Sequence, residues 1–306
     1  MSVIGIDTSN YTTSIAFFDG VGGENCSRLL PVKQGELGLR QSDAVFAHIK
    51  CLPELSGRLF SHFSGEKITA VGVSTRPRAV EGSYMPCFMV GYSHAKMLAD
   101  AFQVPLVEVS HQQGHVAASL WSADAMELMD QPHLAWHLSG GTTELLLVEP
   151  ENRNVRCTKI GGTTDISAGQ LIDRTGQLLE LPFPSGKHLD SLSQEANGKE
   201  TFKVKCPGME FSLSGVQNKV QQFHEKNGIP AETAGFALRC VAGAVYQATA
   251  NALKEYPGLR VVFSGGVASN SLLRKILNPL QPIFCQPQYS TDNAMGVAVL
   301  THRLQE

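Results

Sequence analysis

The sequence predicts an α/β protein made of two lobes. At 306 residues the chain exceeds the usual size of one hydrophobic core, so we expect two lobes of roughly 150 residues each. Its 29 glycines cluster where apolar runs end, and the recurring unit is a short buried strand, a Gly/Ser/Thr turn and a helix-like stretch. Two strand–turn–strand openings roughly 130 residues apart predict that the lobes share one topology, as in a duplicated fold.

The first opening lies at the N-terminus. Residues 3–7 read as a buried strand, the polar residues 8–13 as a turn and residues 14–18 as the return strand. The hydrophobic pattern of this half predicts three further elements: helices at 42–63 and 91–102 and a strand at 70–74.

The second opening consists of strands 135–138 and 144–148 around a glycine-rich turn. The later pattern predicts the longest helix at 233–255, a strand at 260–264 and a last helix at 294–303. The pattern loosens near residues 122–132, which predicts an N-terminal lobe at 1–128 and a C-terminal lobe at 129–306.

Composition narrows the class of protein. Hydrophobic residues make up 42% of the chain and charged residues 17%, which excludes a disordered tail and a coiled coil. No stretch approaches the roughly 18 apolar residues that span a bilayer, so we expect a cytoplasmic protein with no membrane contact. The seven cysteines never form a CxxC pair, which argues against disulfides and a zinc knuckle. A net charge of -3 neither suggests nor forbids an RNA partner.

Three turns rich in glycine and hydroxyl groups follow or join strands, at residues 7–10, 139–143 and 264–270. Each can bring backbone N–H groups close to an anion, because glycine permits tight approach. One such turn is weak evidence, since most Gly-Gly turns merely reverse the chain. Together they are what a nucleotide held between two lobes would need, although none is a Walker motif or a GxGxxG fingerprint.

An HxxxH pair, His111 and His115, opens a predicted helix. Residues four apart on a helix share one face, so two imidazoles can chelate one metal ion; the spacing alone also fits exposed histidines at a helix N-terminus. His133 and His137 repeat the spacing on a predicted strand, where residues four apart lie about 13 Å from each other and cannot share an ion. Locally, Asp292 reads as the N-cap of the last helix.

A helix is also predicted from Asp165 onward. Asp165 could cap it and Asp173 would lie about two turns later, where a carboxylate could hold ribose hydroxyls or orient an acceptor amine. A solvated helix face explains the spacing equally well.

Six motifs, in order along nearly the whole chain, resemble those of one family. They are SGGTTEL from Ser139, DISAGQLIDRT from Asp165, FPSG from Phe183, FSLSGVQNK from Phe211, GGVASN from Gly265 and TDNAM from Thr291. With the HxxxH pair, they resemble the tRNA adenosine threonylcarbamoyltransferases of the actin/Hsp70/sugar-kinase superfamily.

The resemblance implies a duplicated two-lobe fold with a central nucleotide cleft, and a last helix, about 292–306, packed back on the N-terminal lobe. It implies one iron or zinc ion bound by His111, His115 and Asp292, which overturns the capping interpretation of Asp292. It also implies ATP or an acyladenylate as ligand. The residues matching nucleotide and substrate contacts are Ser139, Gly140, Gly141, Thr142, Thr143, Asp173, Gly186, Gly265, Gly266 and Asn270.

The implied reaction moves a threonylcarbamoyl group from its adenylate to the N6 amine of the tRNA adenosine 3′ of the anticodon. The implied partners are the tRNA anticodon stem-loop, a paralogous dimerisation subunit and an ATPase. No catalytic residue is assigned. A peptidase is the weakest alternative, because the zincin motif needs a glutamate where this chain has Gln112.

This chain departs from the family pattern near the expected active site. In the N-terminal loop formed by Ser9, Asn10, Tyr11 and Thr12, the last two replace an aspartate and a glutamate. Thr142 replaces a histidine, Gln170 replaces a glutamate, and residues 76–83 replace a PGL segment. Fewer carboxylates change how an acceptor amine could be deprotonated. The departures indicate a diverged paralogue, and leave open a different acceptor or a regulatory subunit without turnover.

Overall fold

The computed structural model of the chain describes residues 1–31, 39–63 and 65–306. Contacts divide it into two compact units. The first unit comprises Met1–Gln131, Glu149–Cys157 and Asp292–Glu306, and the second comprises Pro132–Val148 and Thr158–Thr291. The predicted division at residue 128 stays a prediction.

Both units are built from strands and helices. The strands are β1 (Ser2–Ser9), β2 (Thr12–Phe18), β3 (Gly23–Leu29), β4 (Ile68–Arg76), β5 (Leu106–Ser110), β6 (His133–Leu138), β7 (Thr143–Glu151), β8 (Asn154–Thr163), β9 (Glu210–Phe211), β10 (Val261–Ser264) and β11 (Ile283–Phe284). The helices are α1 (Gln41–His62), α2 (Phe88–Phe102), α3 (His111–Ser122), α4 (Ala168–Leu178), α5 (Gly186–Ser193), α6 (Ser214–Asn227), α7 (Pro230–Glu255), α8 (Ser271–Leu277) and α9 (Met295–Gln305). Runs of three consecutive strands occur at β1–β3 and β6–β8.

The first turn is shorter than its polar sequence predicts. The predicted turn at 8–13 shrinks to the two residues Asn10 and Tyr11, because Ser9 and Thr12 still pair across the β1–β2 hairpin. Polar residues 8, 9, 12 and 13 are buried in strands, and the hydroxyls of Thr8, Ser9 and Thr13 are hydrogen-bonded there. Polarity alone therefore misplaced the strand ends.

The first unit is built on a five-stranded mixed sheet with the order β3-β2-β1-β4-β5. β1 pairs antiparallel with β2 and parallel with β4. One face carries Ile4, Ile6 and Val71, which pack with residues of α1 and α2 in a single apolar core. β-branched residues suit this pleated, buried surface.

Helix α9 packs on the opposite face of this sheet, together with α3. Two glycines allow its close approach. A Cβ at Gly5 would overlap Ala294 and Ala298, and a Cβ at Gly72 would overlap Thr301. The last helix thus belongs by its contacts to the first unit, and the start of that helix lies close to the C-terminal half of β1.

The second unit contains most of a six-stranded sheet with the order β11-β10-β6-β7-β8-β9. Its core surrounds the long helix α7, whose alanines and valines are almost all buried. Trp136 is fully buried, and its indole Nε1 donates a hydrogen bond to Thr249 Oγ1 at 2.8 Å. β10 runs parallel to β6, so the ends of both strands lie at the same edge.

Two general expectations from composition can be compared with the structure. All seven cysteines are free thiols and five of them are buried. Across the described residues, none of the helices combines the length and the apolarity that a bilayer crossing requires.

Candidate functional site

Helix α3 begins with a capping box that fixes its first turn. Ser110 Oγ accepts a hydrogen bond from Gln113 N at 3.2 Å, and Gln113 Oε1 accepts one from Ser110 N at 2.9 Å. Gln113 Nε2 also donates to Val155 O at 2.8 Å. Because two backbone donors are satisfied reciprocally, the helix starts at a defined residue and orientation. That residue is His111.

The two imidazoles of α3 converge with one carboxylate. His111 Nε2 and His115 Nε2 lie 2.9 Å apart. Asp292 Oδ1 lies 3.2 Å from His115 Nε2 and 3.5 Å from His111 Nε2. All three donor atoms fall within 4.8 Å of one another, and the side chains are only 10–26% exposed. The structure therefore brings together the three residues that the resemblance names as metal ligands.

Asp292 does not cap the last helix. Asn293 Oδ1 takes that part by accepting from Met295 N and Gly296 N at 3.1 and 3.4 Å. Asp292 Oδ2 instead accepts a hydrogen bond from Ser9 Oγ at 3.2 Å. The local capping interpretation was wrong, and the Asp292 carboxylate faces the histidines.

Asp7, which the sequence analysis placed only in an anion-binding turn, contacts the metal-ligand candidate His111. It lies in β1, is 1% exposed, and its Oδ2 lies 2.8 Å from His111 Nδ1. Its Oδ1 accepts a hydrogen bond from Ser9 N at 3.0 Å. A carboxylate on Nδ1 fixes the ring and leaves Nε2 free to ligate a metal. An acidic residue inside a buried strand was the available signal, because such a residue needs a partner.

The electrostatics of this cluster favour positive charge at its centre. Burial would lower the pKa of His111, but the charges and hydrogen bonds of Asp7 and Asp292 outweigh it and raise that pKa to about 10. Burial would raise the pKa of both carboxyls, yet the neighbouring imidazoles hold the pKa of Asp7 below, and that of Asp292 well below, the usual value. One buried and one partly buried carboxylate thus stabilise a cation there.

The N-terminal loop reaches this cluster through one residue. Ser9 contacts Asp292, as described above. Asn10 Oδ1 accepts a hydrogen bond from Gln41 Nε2 of α1 at 2.6 Å. Tyr11 is 40% exposed, and its carbonyl oxygen accepts a hydrogen bond from Leu30 N at 2.8 Å, while Thr12 is buried in β2. Of the two replaced positions, only Tyr11 lies exposed in the turn of the hairpin.

In the second unit, the turn between β6 and β7 carries five predicted nucleotide contacts. Ser139 closes it, since its N donates to Thr142 O at 2.8 Å and its Oγ accepts from Thr142 N at 3.0 Å. Thr143 Oγ1 accepts from Ala168 N at 2.8 Å, at the start of α4. Gly140 and Gly141 are exposed, and a Cβ at either would meet nothing within 4 Å. Space for a ligand therefore lies directly over their backbone.

Two glycines, Gly265 and Gly266, follow β10, and the structure requires a glycine only at the first. Gly265 has φ +91 and packs against Leu138, so a side chain is excluded on both grounds. Gly266 is exposed, and a Cβ there would meet nothing. Since β10 and β6 end at one edge of the sheet, these glycines lie near the turn at Ser139. Gly265 is needed for packing, and only Gly266 offers an open backbone.

The remaining predicted contacts form a second local group. Asp173 Oδ1 accepts from Ser185 N, next to Gly186, at 2.8 Å, and burial raises the pKa of Asp173. Asn270 Oδ1 caps α8 by accepting from Leu273 N at 2.9 Å. Asp190, which the sequence analysis did not select, accepts from Ser271 N and Ser271 Oγ at 3.0 and 2.7 Å. It ties α5 to the start of α8.

The predicted cap at Asp165 was wrong. Ser167 caps α4, whereas Asp165 accepts hydrogen bonds from Leu213 N and Ser214 N and so caps α6. Burial would raise the pKa of Asp165, but the hydroxyls of Ser212 and Ser214 and these N–H groups lower it strongly. Capping was recognised correctly, but for the wrong helix, because the partner lies 48 residues away.

The family model described as tRNA N6-adenosine threonylcarbamoyltransferase matches residues 39–299. A protein of that name from Carboxydothermus hydrogenoformans is 32% identical over 314 aligned residues, covering 97% of this chain and 90% of the relative. The match thus extends over both units.

The fold was compared with solved structures. The (R)-2-hydroxyglutaryl-CoA dehydratase component A of Acidaminococcus fermentans superposes with a TM-score of 0.58 at 15% identity, covering all of both chains. A ROK hexokinase from Thermus thermophilus gives 0.57 at 14% identity, again over all of both chains. These likenesses confirm the predicted actin/Hsp70/sugar-kinase-like α/β fold with two mixed sheets.

Proposed function

Because the chain belongs to the tRNA N6-adenosine threonylcarbamoyltransferase family, we propose that it transfers a threonylcarbamoyl group from threonylcarbamoyl-adenylate to the N6 amine of the tRNA adenosine 3′ of the anticodon. One observation carries the proposal: the convergence of His111, His115 and Asp292 within 4.8 Å. Neither the spacing of the histidines nor the packing of the fold alone requires a carboxylate at that point.

We propose that this cluster holds one divalent metal ion, iron or zinc. Two imidazoles and one carboxylate suit both ions, and three protein ligands leave positions open for substrate. The ring nitrogens fit, since Asp7 occupies Nδ1 of His111 and Nε2 faces the other donors. When bound, such an ion supplies Lewis-acid polarisation of a carbonyl or phosphate oxygen.

The chain's own residues would hold the ligand set rigid. Asp7 orients His111 by its bond to Nδ1, and Ser9 orients Asp292 by its bond to Oδ2. Ser9 N also donates to Asp7, so the end of β1 links both ligands. Positioning of this kind supplies much of the rate in a group transfer between bound substrates.

We propose that the adenylate binds the second unit at the turn 139–143. The open backbone of Gly140 and Gly141 permits close approach of a phosphate, and Gly186 and Gly266 are open in the same way. Asp173 and Asn270 would contact the nucleoside. Their present bonds to Ser185 N and Leu273 N each use one side-chain oxygen and leave the remaining acceptor and donor capacity available.

Partners follow from the same family. We propose a paralogous dimerisation subunit and an ATPase, acting with this chain on tRNA in the cytoplasm. Exposed apolar side chains on the first unit support a protein partner: Phe46 and Ile49 of α1 and Met89 and Met97 of α2 are 48–61% exposed. Helices α1 and α2 contact each other, and exposed apolar side chains on neighbouring helices are typical of interaction sites.

The experiment is to incubate metal-loaded protein, with and without the partner subunits, with threonylcarbamoyl-adenylate and unmodified tRNA, and to analyse the digested nucleosides by mass spectrometry. We expect threonylcarbamoyladenosine above a no-enzyme control, and its loss in Asp292→Ala. Product on a small-molecule or protein acceptor but none on tRNA would contradict the proposed acceptor. Absence of any product, with metal and nucleotide bound, would contradict turnover.

A further inference from the structure

The second unit contains a cavity of about 600 Å³ that the proposed reaction does not use. Three phenylalanines form its apolar part: Phe202 from the segment before β9, Phe223 from α6 and Phe236 from α7. Glu200, Thr201 and Asn227 add polar groups to its lining. We call this cavity the aromatic pocket. Its volume and mixed lining are those of a small-ligand site.

Two of the three rings are paired, and the third is partly exposed. Phe223 and Phe236 stack on each other with centroids 4.4 Å apart and an interplanar angle of 3°. Phe202 remains 39% exposed although it faces the pocket. Phe236 is buried and Phe223 is partly buried, so Phe202 is the ring that offers an exposed apolar face to a ligand, and the face of a planar heterocycle is its natural partner.

Lysines flank this surface. Lys219 lies four residues before Phe223, and Lys226 lies three residues after it. All three side chains therefore share one face of α6. Lys219 Nζ lies 5.8 Å from the ring centre of Phe202, and Lys226 lines the pocket. Within the described residues, neither lysine has a carboxylate oxygen within 4 Å of its Nζ.

The charge of the surrounding segment contrasts with that of the chain. Residues 199–226 contain five lysines and three glutamates, whereas the whole chain has a net charge of -3. All five lysines are exposed. The segment therefore has two more lysines than glutamates, and a local excess of positive charge is what an acidic protein needs if it is to bind a polyanion.

The pocket is ordered before any ligand arrives. Phe202 N lies 3.2 Å from Cys240 Sγ, and Arg239 Nε donates to Glu200 O at 2.8 Å. Both partners belong to the long helix α7. A surface fixed in this way loses little conformational entropy on binding.

We propose that the aromatic pocket binds an unpaired base of the tRNA substrate, with neighbouring phosphates on Lys219 and Lys226. The inference rests on the proposed function, which makes RNA a substrate. Proteins bind unpaired nucleotides by stacking the bases on aromatic rings and by contacting the phosphates with lysines. The Glu200 carboxylate can accept a hydrogen bond from an exocyclic amine, and the Asn227 amide can both donate and accept.

The test is fluorescence anisotropy of a labelled, unmodified tRNA transcript with the full chain and its partner subunits, without acyl donor. We expect Phe202→Ala to weaken binding at least ~5-fold, since loss of one stacked base costs that much or more. Lys219→Glu/Lys226→Glu should reduce the slope of log affinity against log salt by about 1.4, because two phosphate contacts are lost.

One matched control is Phe102→Ala, since Phe102 of the first unit is 45% exposed against 39% for Phe202. The other is Lys67→Glu/Lys254→Glu, which makes the same charge change elsewhere. Circular dichroism melting checks that each variant folds. If the pocket variants bind tRNA like their controls, the inference is overturned, and the proposed function still stands if product forms.

The proposed reaction can also fail while the proposed role of the aromatic pocket holds. If no threonylcarbamoyladenosine forms but tRNA binding depends on Phe202, Lys219 and Lys226, the pocket is supported and the proposed reaction is not. If the wild-type chain binds no tRNA, both are overturned. Weakened binding of free AMP with unchanged tRNA affinity would also overturn the inference, because the pocket would then serve a free nucleotide.

Discussion

Two regions of the molecule carry the same HxxxH spacing and differ in every other respect. On α3, His111 Nε2 and His115 Nε2 lie 2.9 Å apart and face a carboxylate. On β6, His133 is buried in the strand, and His137 Nδ1 lies 3.4 Å from Ser264 Oγ. A helix rises 1.5 Å per residue and a strand about 3.3 Å, so only the helix brings the two rings together. Spacing has chemical meaning only once the backbone is known.

Removing one ring from each pair gives the largest expected effect. His115→Ala leaves two donors of three, and we expect metal affinity to fall by more than the ~10–100-fold that loss of an outer-shell partner costs, with transfer falling alongside. His137→Ala should leave metal content unchanged. Elemental analysis of the purified variants and metal titration measure both. Equal metal loss in the two variants would remove the distinction between the regions.

Only part of the candidate metal site on α3 could be predicted from the residues themselves. The two histidines could be paired from helical spacing alone. The third ligand could not, because Asp292 lies 177 residues from His115 and its local sequence favours an N-cap. Asp292 was identified as the third ligand only through the family resemblance. The structure gives the physical reason: Asn293 does the capping, which frees the Asp292 carboxylate.

The fold was predicted better than its polar contacts. Helix 42–63 and strand 70–74 differ from the structure by one or two residues, because apolar periodicity marks buried elements directly. The predicted start of α2 was three residues late. Asp7 and Asp165 were misassigned, since the partner of each lies 48 or more residues away, and no local pattern encodes that.

The buried Asp7 carboxylate, which contacts Nδ1 of His111, is tested by Asp7→Asn. The variant keeps the size of the side chain and removes the charge that orients His111. We expect metal affinity to fall ~10–100-fold, as for other outer-shell partners of ligating histidines. Asp19→Asn, in an exposed turn of the same unit, makes the same charge change and should have no effect on metal titration. Unchanged affinity in Asp7→Asn would show that His111 needs no orienting group.

The smallest expected effect concerns the start of α3 itself. Ser110 and Ser167 form the same capping box, one before His111 and one before α4 in the second unit. Replacing either by alanine should cost about 1 kcal/mol, a fall in Tm of about 2–4 °C. Only Ser110→Ala should also weaken metal binding, by a few-fold, because a frayed first turn releases His111 from its bond to Asp7. If the two variants lose equal stability but only Ser110→Ala loses metal affinity, the start of α3 serves the metal site. If both variants bind metal equally well, the Asp7 contact holds His111 without the cap.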